Sequence, residues 1–138
     1  MNENKPLVLI IDDDFTPMEL YVKALQLSNF EVHQSLSIDQ AMKYLNNYHD
    51  IVKIIVLDIM MPPGHILTAE ETEEGLNTGV LFYENLKSLY PQIPIVVLTN
   101  VRRKDTLDAL NSKACNIYQK SDFTPYRFVE IVNKIIGL

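Results

Sequence analysis

The sequence predicts an α/β protein built as a doubly wound sheet of five parallel strands in the order 2-1-3-4-5, with helices on both faces. Three observations carry this expectation. Apolar runs at residues 7–11, 54–57 and 93–98 are short and unbroken, as strands buried on both faces must be. Each run stops abruptly on polar residues, at Asp12, Asp58 and Thr99. Between the strands lie amphipathic segments with helix-capping signals, and strand–helix alternation implies right-handed crossovers and a parallel sheet.

The first strand, residues 7–11, ends at Asp12-Asp13-Asp14. Thr16, Pro17 and Glu19 then read as N-cap, first helical residue and N3 of a capping box. Met18, Val22 and Leu25 follow at helical spacing, and Asn29 can adopt the left-handed conformation that closes a helix. Residues 30–34 are a short second strand. Ser37 to Gln40 form a second capping box, opening a helix with Ile38, Met42 and Leu45 on one stripe. The central strand, 54–58, stops on Asp58 and is followed by Met60-Met61-Pro62-Pro63.

Residues 62–78 are rich in turn formers and acids, an uncommonly long loop insertion for a small domain. A solvated excursion is the simpler reading, and a flap or partner-binding element beside Asp58 the sharper one. A helix over 79–90 is expected to turn Phe82, Leu86 and Leu89 inward and to stop at Pro91. After the fourth strand come a helix through Leu107 and Leu110 and a short strand at 117–119 ending on Lys120. A last helix is capped by Thr124-Pro125 and carries Phe128, Val132 and Ile135.

A chain of 138 residues suits one domain, 1–138, large enough to bury a core without disulfides or structural metal. Its formal charge of −6 argues against direct nucleic-acid binding, which needs a basic face. No apolar run has the length of a membrane span and the first residues lack a cleavable targeting pattern, so a cytoplasmic location is expected. The single Cys115 is expected to face the core, with a reactive thiol as the alternative. His33, His49 and His65 have no ligand spacing, and Arg102-Arg103-Lys104 read as solvated surface rather than as a patch for an acidic partner.

An aspartate after one strand is ordinarily a turn former or a helix cap. The strand order changes that assessment, because it sets the ends of strands one and three side by side at the switch point where such sheets bind ligands. Asp12 and Asp13 are thereby brought beside Asp58, with Thr99 and Lys120 on the same rim. Crowded carboxylates need a cation, and oxygen donors without His or Cys suit Mg²⁺ held near a phosphoryl group. A carboxylate can accept that group as an aspartyl-phosphate if metal, ammonium and hydroxyl neutralise the charge on its oxygens.

On these residues the sequence resembles the receiver domains of two-component response regulators, a flavodoxin-like fold, over essentially its whole length. The resemblance implies that Asp58 in VLDIMMP is the phosphorylation site, with Thr99 in IVVLTN as switch hydroxyl and Lys120 as the lysine. It also implies Mg²⁺ bound by Asp13, Asp58 and the Met60 carbonyl, with Asp12 acting through water, and the amides of Met60 and Asn100 on the phosphoryl oxygens. The phosphodonor would be a histidine kinase or histidine phosphotransfer protein. Tyr118 and Tyr126 would lie on the last-helices face available to an output partner, or in the core. Bulky Met60 and Asn100 are expected to shield the acyl phosphate.

This sequence departs from the family in having Ser121 where proline usually follows the lysine, and Ile117 where a rotating aromatic usually stands. Asp12 to Thr16 also resembles the D-x-D-x-T motif of haloacid-dehalogenase-like phosphatases, with Asp12 as nucleophile, Asp14 as general acid and Lys120 on phosphate. That reading leaves Asp58 idle and finds few later carboxylates for Mg²⁺. No output domain follows Ile136, so either the domain docks to a partner alone or it belongs to a longer protein.

Overall fold

Five strands align in one parallel sheet: β1 (Leu7–Ile11), β2 (Glu31–Ser35), β3 (Val52–Leu57), β4 (Ile95–Thr99) and β5 (Asn116–Gln119). Their order is β2-β1-β3-β4-β5, as the alternation pattern predicts. The computed structural model describes residues 5–59, 78–99, Asp108, 116–120 and 124–137. The described helices are α1 (Phe15–Leu27), α2 (Ile38–Tyr48), α3 (Thr78–Leu89) and α4 (Pro125–Ile136). Of the helix expected through Leu107 and Leu110, Asp108 alone is described, and it is helical. Cys115, His65, the Arg102–Lys104 cations and positions 62–77 of the expected insertion lie outside the described residues.

The strand period of two divides the apolar residues between two cores. Leu9, Ile11, Ile55, Leu57 and Val97 face α2 and α3, while Val8, Ile10, Ile54, Val56 and Val96 face α1 and α4. Both faces of β1 and β3 are thus covered, and every residue of β1 is buried. At about 1.5–3 kcal/mol per fully buried aliphatic side chain, these central strands contribute a large share of the hydrophobic stabilisation, alongside the helix faces packed on them. At Gly79 a β-carbon would overlap Ile59, so α3 reaches the end of β3 only because that position is glycine.

Three local expectations need correction. Helix α1 begins at Phe15 with Asp14 as N-cap, two residues ahead of the Thr16 cap. The cause is a turn in which Asp14 N–H donates to Asp12 Oδ1 at 2.8 Å, reversing the chain as soon as the strand ends. Pro17 is tolerated there because the first helical turn has no internal acceptors for its N–H groups. Leu89 is 57% exposed rather than inward. The inward face of α3 runs through Phe82, Tyr83 and Leu86, and Leu89 falls on its flank. Strand β2 is shifted one residue from 30–34, which sets its Ser35 opposite Ile11.

Other signals behave as expected. Asn29 has φ 76°, the left-handed geometry after α1. Ser37 Oγ accepts from Gln40 N–H, although Gln40 Oε1 in return accepts from Leu36 N–H, one residue before the cap. Thr124 caps α4 with Pro125 in the first turn. His33 stacks on Tyr44 with centroids 3.8 Å apart, and His49 on Tyr90, so both rings are packing elements.

Candidate functional site

The carboxyl ends of β1 and β3 are locked together at the point where strand order reverses. Asp58 N–H donates to the Ile11 carbonyl at 2.9 Å, and Asp12 N–H donates to the Ser35 carbonyl at 3.1 Å. The backbone of both acids therefore extends the ladder, and their side chains emerge at one level above it. Asp12 is 1% and Asp58 5% exposed, whereas Asp13 and Asp14 are solvent-facing. One carboxylate oxygen from each of Asp12, Asp13, Asp14 and Asp58 lies within 4.8 Å of the others.

Lys120, arriving from the end of β5, places its ammonium inside this group. Its Nζ donates to Asp12 Oδ2 at 2.7 Å and stands 3.6 Å from Asp58 Oδ2. Burial raises the Asp12 carboxyl above its usual range, as does the neighbouring Asp58 charge, against the hydrogen bonds from Lys120 and the Asp14 N–H. Burial opposes the Lys120 ammonium, yet the Asp12 hydrogen bond and the charges of Asp58, Asp12 and Asp14 outweigh it and raise its pKa. One cation set among several carboxylates leaves a surplus of negative charge, the condition for binding a further cation.

Of the residues the sequence singles out, Asp12, Asp13, Asp58 and Lys120 are brought together. Thr99 closes β4 opposite Gln119 on the same rim, while its side chain, Met60 and Asn100 lie outside the described residues. Three contributors were missed. Asp14 joins the carboxylate group; the third acid of the DDD run was the available signal, but it entered only the phosphatase reading. Gln34 Nε2 holds the Asp12 carbonyl at 2.9 Å, and the Tyr21 hydroxyl donates to the Lys120 carbonyl at 3.1 Å. Neither contact has a signature at the level of local sequence.

A family model for the response regulator receiver domain matches residues 8–133. The chain belongs to the response regulator receiver family. Members of this family are phosphorylation-activated switches of two-component signalling, and the five-stranded order seen here is the family's CheY-like architecture. Among solved structures, a CheY-like receiver domain protein from Methanospirillum hungatei JF-1 superposes with a TM-score of 0.76 at 15% identity, covering 97% of this chain and 95% of that one. A response regulator from Thermotoga maritima gives 0.70 at 20% identity, covering 97% and 99%. The chemotaxis response regulator CheY4 of Vibrio cholerae gives 0.71 at 18%, covering 96% and 99%. A comparison with curated protein sequences finds no match. Among the described residues of this receiver domain no helix is long and apolar enough to cross a membrane.

Proposed function

We propose that this receiver domain accepts a phosphoryl group on Asp58, in the presence of Mg²⁺, from a histidine kinase or histidine phosphotransfer protein. The single observation that carries this reading is the buried Asp58 carboxylate, 3.6 Å from Lys120 Nζ, within a group of four acids. The donor set fits the metal: carboxylate oxygens from the turns after β1 and β3, with no nitrogen or sulfur ligand joining them among the described residues, suit a hard divalent cation. Asp13 and Asp58 would hold it with the Met60 carbonyl, Asp12 would act through water, and Asp14 would add a fourth acid nearby. When bound, Mg²⁺ neutralises the phosphoryl oxygens during transfer.

The chain's own groups supply the rest. An Asp58 oxygen forms the new bond to phosphorus as the bond to the donor breaks, and the bonding pair leaves with the donor. Lys120, already at the correct distance to reach Asp58, then pairs with the added charge, and Thr99 supplies a hydroxyl at the end of β4. The gain in negative charge favours whichever conformation lets those groups approach, and that difference in contacts is the switch.

Asp12 is poorly suited to be the nucleophile of a haloacid-dehalogenase-like phosphatase. Both of its oxygens are engaged, Oδ1 by Asp14 N–H and Oδ2 by Lys120 Nζ. Incubation with acetyl phosphate and Mg²⁺, followed by mapping of the modified residue, tests the proposal. Phosphorylation on Asp58, lost in Asp58→Asn, is the expected outcome; modification of Asp12 would establish the phosphatase reading instead.

A further inference from the structure

Lys120 has weaker backbone support than Asp12 and Asp58. Asp12 and Asp58 follow central strands with a neighbour on each side, whereas Lys120 follows β5, which among the described strands pairs with β4 alone. The last rung of that pairing is Thr99 with Gln119, so Lys120 stands one residue beyond the ladder. Strand β5 has no fully buried residue: Asn116 is exposed, and Ile117 and Tyr118 are partly buried, one against each core. The ion pairs with Asp12 and Asp58 hold the ammonium, but the lysine backbone on such a stem calls for a restraint of its own.

Helix α1 provides one. Tyr21 is 8% exposed, lies in the same core as Met18 and Phe128, and meets the Phe128 ring edge-on at 5.6 Å. Its hydroxyl donates to the Lys120 carbonyl at 3.1 Å, a contact spanning 99 positions of sequence. An aromatic ring locked by packing with its polar tip on a backbone carbonyl fixes that carbonyl's position.

We propose that Tyr21 is a positioning residue for Lys120, its hydroxyl anchoring the end of β5 so that the ammonium meets the phosphoryl group on Asp58. The inference rests on the phosphoacceptor reading of the site. Burial raises the Tyr21 pKa above its usual value, so the hydroxyl stays a donor throughout the neutral range. The Tyr21 hydroxyl bonds the lysine carbonyl, and its contribution passes through the lysine backbone.

Phosphorylation by acetyl phosphate, followed at varied Mg²⁺ in the full chain, separates this role from a purely structural one. Tyr21→Phe keeps the ring and removes one hydrogen bond, and is expected to lower the maximal rate about 3- to 10-fold. The Mg²⁺ concentration at half-saturation should not change, because the metal's ligands are untouched. Val132→Ala, a cavity in the same core, should lower the melting temperature more than Tyr21→Phe while leaving the rate at the wild-type value. A wild-type rate in Tyr21→Phe, a loss appearing only as weaker Mg²⁺ saturation, or an equal rate loss in Val132→Ala would each overturn the inference. Wild-type protein that takes no phosphoryl group on Asp58 would remove the phosphoacceptor reading itself.

Discussion

The two rims of the sheet carry similar residue types and differ in what surrounds them. At the amino rim, Lys5, Glu31, Asp50 and Lys53 ring a groove of about 810 Å³ with Pro6 and Pro94, and Glu31, Asp50 and Lys53 are all exposed. At the carboxyl rim, Asp12, Asp58 and Lys120 are held in contact, with Lys120 and Asp12 side chains only 9% and 2% exposed. The difference teaches that withdrawal from water, rather than a groove ringed by charges, is what poises these groups. Charges left in water are screened and change little on folding, whereas charges withdrawn from water at a strand end remain poised to respond to an added charge. The helix polarity reinforces the contrast, since Ser37 and Thr124 cap helix N-termini at the carboxyl rim and Gly137 closes α4 at the other end.

The largest expected contrast between the rims is in phosphorylation. Asp58→Asn should abolish incorporation from acetyl phosphate, and Asp50→Asn should leave it unchanged, as read by intact mass. Stability should show the next largest. Without Mg²⁺, Lys120→Met leaves Asp12 and Asp58 without their shared cation and should cost about 3 kcal/mol in urea denaturation. Lys53→Met, at an exposed position, should stay within about 0.5 kcal/mol of wild type.

Alkaline pH gives a third contrast. Lys120 and Tyr21 both titrate above their unfolded values of 10.5 and 10.0 in the folded chain, so folding holds their protons more tightly. Their contributions are complete below about pH 10 and are lost as the pH rises through the folded values. The free energy of unfolding should therefore fall more steeply above pH 10 in wild type than in Tyr21→Phe, measured by urea titrations across that range. The smallest effects belong to the helix ends. Ser37→Ala should cost about 1 kcal/mol by losing the Gln40 N–H acceptor. Gly137→Ala, at φ 81° with open space around it, should cost about 1 kcal/mol through backbone conformation alone, measured by thermal unfolding.

The carboxyl rim was legible in the sequence to the extent that it is written in local patterns. Unbroken apolar runs revealed β1 and β3 because strands covered on both faces cannot alternate, and strand order then brought Asp12, Asp13 and Asp58 together. Local readings failed where a neighbour decided the outcome. The Thr16 signal was overridden by the bond between Asp14 N–H and Asp12, and Leu89 had the right spacing but falls on the exposed flank of α3. Gln34 and Tyr21 act on the backbone of distant residues, and no periodicity encodes such contacts.

Chemical-shift mapping during a Mg²⁺ titration tests the contrast between the rims most directly. Saturable shifts centred on the amides of Asp12, Asp13, Asp14 and Asp58 and on the residues just after Asp58, and weakened in Asp13→Asn, are the predicted result. Shifts centred on Lys5, Glu31 and Asp50, or no saturable binding, would contradict it.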